Sequence, residues 1–441
     1  MTHEQFLHLS LQYPYEFRFY YGDVQYGILM EDFTTKKIYL IPVQRISEVN
    51  SNRSIITEIG TPVNITTIKS WMPLTNAGMH KKPRSYPLQN PPKIRKLIIL
   101  GAGASYDCGV TDDALRPPVA NELFQDKFIN PFSLHYQGAF QLCSDLAHTG
   151  DIEAYFQRKW QRVVDHYDPN LLSRIINVQF YLHELFMDIS HKCRNPRESN
   201  YKCLVNLANE HCISTGERVL FVNFNYDLLL EDALKRSLKY HFTGIDDYVD
   251  YHNRNLLLVK PHGSCDLIKK LDPGISEILP PHYEMRSVST LAEFLYQQNR
   301  DLDYILGKQT GDYELLGRDE ILRNTDTPEL VTYLPQLLIP YKSKDSFVMP
   351  EKHEIWMDYF LNDIDEIIVI GWKGTEAKFQ ELLKRKLEHK KVTITTITKG
   401  EDTVRNEFNK SIPHGVYKEA ENTFSAFIKK AVAENHSLFS S

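Results

Sequence analysis

The 441-residue sequence has no C-x-x-C pair; its six cysteines, Cys108, Cys143, Cys193, Cys203, Cys212 and Cys265, are scattered singly. Without such pairs there is no local thiolate set for a structural zinc module, so no metal is expected. The chain does not open on a basic segment followed by an apolar one, and no apolar run reaches the roughly 20 residues of a bilayer span. A soluble, cytoplasmic protein with reduced thiols and no direct membrane contact is expected. Positive charge is not in excess either, since 51 Lys and Arg stand against 57 Asp and Glu, for a net charge of −6. Nothing in that balance indicates nucleic acid as a partner. Internal repeats and low-complexity tracts are also missing.

What is present falls into two parts. Residues 13 to 70 are rich in aromatic and β-branched residues (YEFRFYYGDVQYGILMED, KKIYLIPV) and predict a small β-rich N-terminal domain, taken as 1–75. A stretch with four prolines, LTNAGMHKKPRSYPLQNPPK, follows and reads as a linker, taken as 76–93. From 94 to 441, apolar strand-like runs alternate with helical stretches. The strand candidates are KLIILG (96–101), RVLFVNF (218–224), LLLVKP (256–261), QLLIP (336–340), EIIVIG (366–371) and VTITTIT (392–398). Nearly continuous apolar runs are the mark of parallel strands covered on both faces. The expectation is an α/β domain with a doubly wound, mostly parallel Rossmann-like sheet. The first two strands are far apart, so a helical insertion is expected at about 118–214. Residues 265 to 330 pattern weakly.

The strand KLIIL runs into GAGAS, residues 101–105. Gly101 and Gly103 permit close backbone approach to an anion, and backbone N–H groups supply donors, which suits a diphosphate. The dinucleotide fingerprint G-x-G-x-x-G is not met, because Tyr106 stands at its third position. A ligand-free strand-to-helix turn is the plainer reading of the loop. Three further strand ends carry polar or glycine residues: Asn225, Tyr226 and Asp227; His262, Gly263 and Ser264; Gly371, Trp372, Gly374 and Thr375. Each has a plain reading as well: a turn residue for Asn225, a helix cap for Asp227, a satisfied core histidine for His262. Ligands of open α/β sheets bind outside the carboxyl ends of the strands, so their convergence there favours a functional site.

The order of these motifs resembles that of the sirtuin (silent-information-regulator) family: a G-A-G-x-S-x-x-x-G loop (Gly101, Ala102, Gly103, Ser105, Gly109), an Asn-x-Asp strand end (Asn225, Asp227), a His-Gly strand end (His262, Gly263) and a late glycine-bearing end (Gly371, Gly374, Thr375). It is similar above all to sirtuin-like effectors of bacterial anti-phage defence, many of which hydrolyse NAD. The four-cysteine zinc module of protein-deacylating sirtuins is missing, and the usual I-P-D-F-R is replaced by VTDDALR ending at Arg116. The resemblance implies NAD as substrate. Gly101, Ala102, Gly103 and Ser105 would cradle its diphosphate, and Gly263, Gly371, Gly374 and Thr375 would line the nucleotide site. Asp227 would recognise the nicotinamide amide, Asn225 would orient ribose hydroxyls or water, and His262 would act as general base. The implied activity is NAD glycohydrolase, yielding nicotinamide and ADP-ribose, in a regulated homo-oligomeric defence effector that depletes NAD, with a HerA-type hexameric translocase ATPase as a candidate partner. A zinc-free deacylase or ADP-ribosyltransferase, and a non-catalytic NAD or ADP-ribose sensor, remain open alternatives at this stage.

Overall fold

The structure, a computed structural model, describes residues 15–19, 24–32, 35–42, 45, 61–73, 94–110, 116–146, 151–166, 168–193, 199–271, 309–316, 333–338, 347–418, 420–433 and 438–439. The stretch read as a linker, 76–93, lies outside them. The chain divides into two compact units, Met1–Asn90 and Pro91–Ser441.

The first unit is a five-stranded antiparallel sheet. Its strands are β1 (Tyr15–Phe19), β2 (Val24–Asp32), β3 (Lys37–Pro42), β4 (Thr61–Pro62) and β5 (Ile68–Pro73), in the order β4-β3-β2-β1-β5. Ile28, Tyr39 and Ile41 form its small core. Tyr39 and Ile41 are two apart on β3 and so share a face.

The second unit is built on a six-stranded sheet in which every pairing is parallel. Its strands are β6 (Ile94–Leu100), β7 (Arg218–Asn223), β8 (Leu256–Val259), β12 (Glu366–Ile370), β13 (Thr393–Ile397) and β14 (Val416–Lys418). Leu97 to Leu100 on β6 and Val219 to Val222 on β7 are fully buried, as strands covered on both faces must be. Ten helices matter here: α1 (Ala102–Tyr106), α2 (Gln137–Leu146), α3 (Ile152–His166), α4 (Pro169–Lys192), α5 (Asn200–Thr215), α6 (Leu229–Leu238), α7 (Glu351–Phe360), α8 (Ala377–Leu387), α9 (Glu401–Ser411) and α10 (Phe424–Ala433). Helices α2 to α5 fill the long gap between β6 and β7. The α4 start follows from its sequence, since Asp168 accepts the Leu171 N–H at 3.1 Å and Pro169 takes the first turn. No helix among the described residues is long and apolar enough to cross a membrane.

One predicted strand sits elsewhere. QLLIP overlaps β11 (Tyr333–Leu337), which belongs to a separate three-stranded antiparallel sheet with β9 (Gly263–Leu271) and β10 (Gln309–Leu315), ordered β10-β9-β11. A short apolar run does not reveal which sheet it joins. Pro335 is a local sign that β11 is an edge strand, because proline cannot donate to a ladder. The edge is covered from α4, where Gln179 Nε2 donates to Pro335 O at 2.6 Å. β9 and β10 also account for part of the weakly patterned region.

Two buried histidines tie helices of this frame to neighbouring segments. His183 on α4 bonds the Cys265 backbone, and His353 Nε2 on α7 donates to Ile245 O at 2.6 Å. Burial pulls both imidazoles down to about 4. The unfolded chain then binds more protons than the fold between that value and the ordinary 6.5, so stability is complete above 6.5 and is lost as pH falls towards 4. Each histidine is expected to remove about 2 kcal/mol between pH 7 and pH 5. In urea titrations, His353→Gln should shrink the acid-dependent loss by about that amount; an unchanged loss would mean that His353 is protonated within the fold.

Candidate functional site

From β6 the chain moves outward through β7 to β8, then returns to the other flank of β6 for β12, β13 and β14. Numbered along the chain, the parallel strands lie in the order 3-2-1-4-5-6, which reverses direction between β6 and β12. The carboxyl ends at such a reversal form the crevice where doubly wound sheets bind ligands.

The glycine motifs meet at this reversal. Gly101 N–H donates to Ile370 O and Gly103 N–H to Gly371 O, both at 3.0 Å. A Cβ on Gly101 would lie 2.6 Å from Trp372 Cα, and one on Gly103 2.8 Å from Gly371 Cα. Gly371 has φ +61, and a Cβ there would lie 2.2 Å from Ala104 N. The glycines are thus required because one backbone crosses another, a reason that fits the plain reading of the loop. The Gly101 and Gly103 amides already have acceptors, so a diphosphate here would be met by other groups of the loop. Ala102 is exposed and Gly103 partly so.

On the β7 side, Asn225 fastens the loop. Its Nδ2 donates to Gly101 O at 2.9 Å, to Ser105 Oγ at 2.9 Å and to Tyr201 OH at 3.2 Å. Ser105 and Tyr201 share a further hydrogen bond of 2.9 Å. Asn225 N–H donates in turn to Asn223 Oδ1. Asp227 is buried and accepts the Leu229 N–H at 3.2 Å, but the cap position of α6 is held by Leu228, one residue on. Burial raises its carboxyl above the usual range, against the opposing pull of the Lys260 ammonium and the Ser105 hydroxyl. Burial also carries the Tyr201 phenol well above its ordinary value.

His262 lies on the short link between β8 and β9, and Gly263 turns that link with φ +77. The imidazole is buried with its ring 4.7 Å from Phe224, edge-on. Phe224 in turn stacks on Trp372 at 5.2 Å and 9°. Trp372 is 2% exposed and also packs on Phe379 and Phe408, so it belongs to the core beneath the crevice. The aromatic chain His262–Phe224–Trp372 links the ends of β8, β7 and β12. Gly374 is buried with φ +78, and its carbonyl accepts Gln380 Nε2 at 3.0 Å; Thr375 is exposed beside it, ahead of α8. Arg116 lies over the Tyr106 ring at 4.3 Å, against α1.

Hydrogen bonds therefore join Gly101, Gly103, Ser105, Asn225 and Gly371, while ring contacts bring in His262. No hydrogen bond among the described residues connects Gly374 or Thr375 to the Asn225 network. Two members were not read from the sequence. Lys260 was legible as a lone charge ending the apolar run LLLV. Tyr201, inside α5, gives no sign distinguishing it from an ordinary core aromatic.

No family model matches the chain, and no curated protein sequence matches it. Solved structures that it resembles include a sirtuin studied for substrate affinity, at 11% identity and TM-score 0.32, covering 77% of this chain and 93% of the other. Sir2Tm bound to a propionylated peptide matches at 10% identity and TM-score 0.33, and a Sir2–p53 peptide–NAD+ complex at 11% and 0.33, each with the same coverage of 77% and 93%. At these scores the site is read from its own residues.

The crossing can be tested against a glycine with equal backbone strain and open space. Gly371→Ala adds a left-handed penalty to a backbone clash and should cost about 3 kcal/mol or more. Gly216→Ala, at φ +72 with nothing within 4 Å of the new Cβ, should cost about 1 kcal/mol. Equal losses in denaturant unfolding would show that the crossing is not tightly packed.

Proposed function

We propose that the chain is an NAD glycohydrolase, cleaving NAD to nicotinamide and ADP-ribose at the crevice between β6 and β12. The observation that carries this reading is the hydrogen bonding of Asn225 to the glycine loop at the reversal of strand order. A dinucleotide-type crevice and a polar strand end are thereby held in one rigid unit. The motif order that resembles the sirtuins supplies the reaction class.

The chemistry asks little of a general acid. Nicotinamide is bound to ribose as a cationic pyridinium, so the C1′–N bond breaks with its electron pair going to nitrogen and the leaving group departs neutral. Water then bonds C1′ and loses one proton. The protein must hold the ribose, stabilise an oxocarbenium-like centre and accept that proton. His262 suits the last task, since a neutral imidazole nitrogen can accept a proton. Asn225 Nδ2 is taken up by protein acceptors, so its Oδ1 is the atom that would receive a hydrogen bond from water or a ribose hydroxyl. Asp227 would face the carboxamide. Water as acceptor is always present, so an enzyme of this kind needs restraint. We read the protein as a regulated effector of anti-phage defence, switched by an oligomer change or by a partner such as a HerA-type translocase ATPase.

A second reading, a sensor that binds NAD or ADP-ribose without turnover, is favoured by one observation: the Asn225 amide and the Gly101 and Gly103 amides all serve internal bonds. Nicotinamide release from NAD separates the two. His262→Ala and Asn225→Ala should each lower it by on the order of a hundredfold with the fold retained. Parental rates in both variants would remove the assigned roles, and no release by the parent, alone or with its genomic neighbours, would favour the sensor.

A further inference from the structure

The buried ammonium of Lys260 is used by none of the steps above. It sits at the end of β8 with its three N–H groups matched to three acceptors: Asp227 O at 2.6 Å, Glu231 Oε1 at 2.8 Å and Ser264 Oγ at 2.9 Å. Those acceptors come from three places, the turn after β7, helix α6 and the start of β9. Lys260 and Glu231 are 4% and 2% exposed, and the buried Asp266 carboxyl also favours the cation electrostatically. Such a pair contributes little over an apolar pair of the same volume, because desolvation offsets the attraction. Its geometry is another matter. Lys260 and Ser264 bracket His262 and Gly263 in sequence, so their bond braces the His262 corner from within. The bond to Asp227 O grips the turn that begins at Asn225. A second tie runs beside it, from Cys265 N–H to Tyr226 O at 2.9 Å.

We propose that Lys260 is a positioning residue, a tripod that holds the His262 corner and the Asn225–Asp227 turn at one fixed separation. Its kinetic consequence rests on the NAD-cleavage reading; its structural consequence does not. A single Lys260→Met variant strands the Glu231 carboxylate and is expected to lower Tm sharply. The informative protein is the full chain carrying Lys260→Met with Glu231→Leu, which removes both charges. Its Tm should recover part of that loss, since Asp227 O and Ser264 Oγ still lack their donor. Its kcat for NAD should stay at least about tenfold down with KM within about threefold, as for a group that only aligns reacting partners. The ring NMR signal of His262, assigned by its loss in His262→Ala, should shift or split relative to the parent. Parental kcat with an unmoved His262 signal would overturn the proposal and leave Lys260 a mere charge partner. If the parent releases no nicotinamide, the NAD-cleavage reading fails by itself and the His262 signal alone decides: moved supports the tripod, unmoved overturns it. Should the double variant not fold, Ser264→Ala removes one leg of the tripod, and a moved or unmoved His262 signal in that variant decides in the same way.

Discussion

Two peptide hydrogen bonds, from Gly101 N–H to Ile370 O and from Gly103 N–H to Gly371 O, are the constraint on which the rest of the site depends. They join the first and fourth parallel strands where the sheet reverses its order. To make them, two backbones must approach until no Cβ fits between them, and that requirement selects glycine at 101, 103 and 371. Helix α1 then leaves at a fixed angle and carries Ser105 to Asn225. Phe224, next to Asn225, stacks on Trp372 from the opposite strand, so polar and aromatic contacts bind the same strand ends.

Around this crossing the protein keeps a cluster of polar groups out of water. Asn225, Asp227, Glu231, Lys260, His262 and Ser264 are all buried. Unpartnered, such groups would each cost a kcal/mol or more, roughly, so the network holds only while most donors find acceptors. That dependence makes the arrangement stiff: moving one residue leaves another unsatisfied. Stiffness is what a site needs if it is to present an amide oxygen and an imidazole to a ribose without rearranging first.

Much of the α/β architecture was legible because buried parallel strands write themselves as unbroken apolar runs. LIIL, VLFV, LLLV and IIVI all appear in the sheet. QLLIP was written in the same letters and joined a different sheet, since nothing local encodes the partner of a short strand; only Pro335 hinted at an edge. The polar strand ends at Asn225, Asp227 and His262 were visible as interruptions in apolar text. What the glycines do was not visible: GAGAS reads alike whether the space belongs to a phosphate or to the backbone of Gly371. Tyr201 was hidden too, because a tyrosine among buried helical positions looks like core until its hydroxyl finds Ser105 and Asn225.

The central claim is that NAD lies in the β6–β12 crevice with its glycosidic bond over Asn225 and His262. A crystal structure of the protein with an NAD analogue whose ribose–nicotinamide link cannot hydrolyse tests it most directly. The expected result is a diphosphate against Ala102 to Ser105 and the nicotinamide ribose within hydrogen-bond reach of Asn225 Oδ1. An analogue bound elsewhere on the chain, or a crevice that stays empty at saturating analogue, would contradict it.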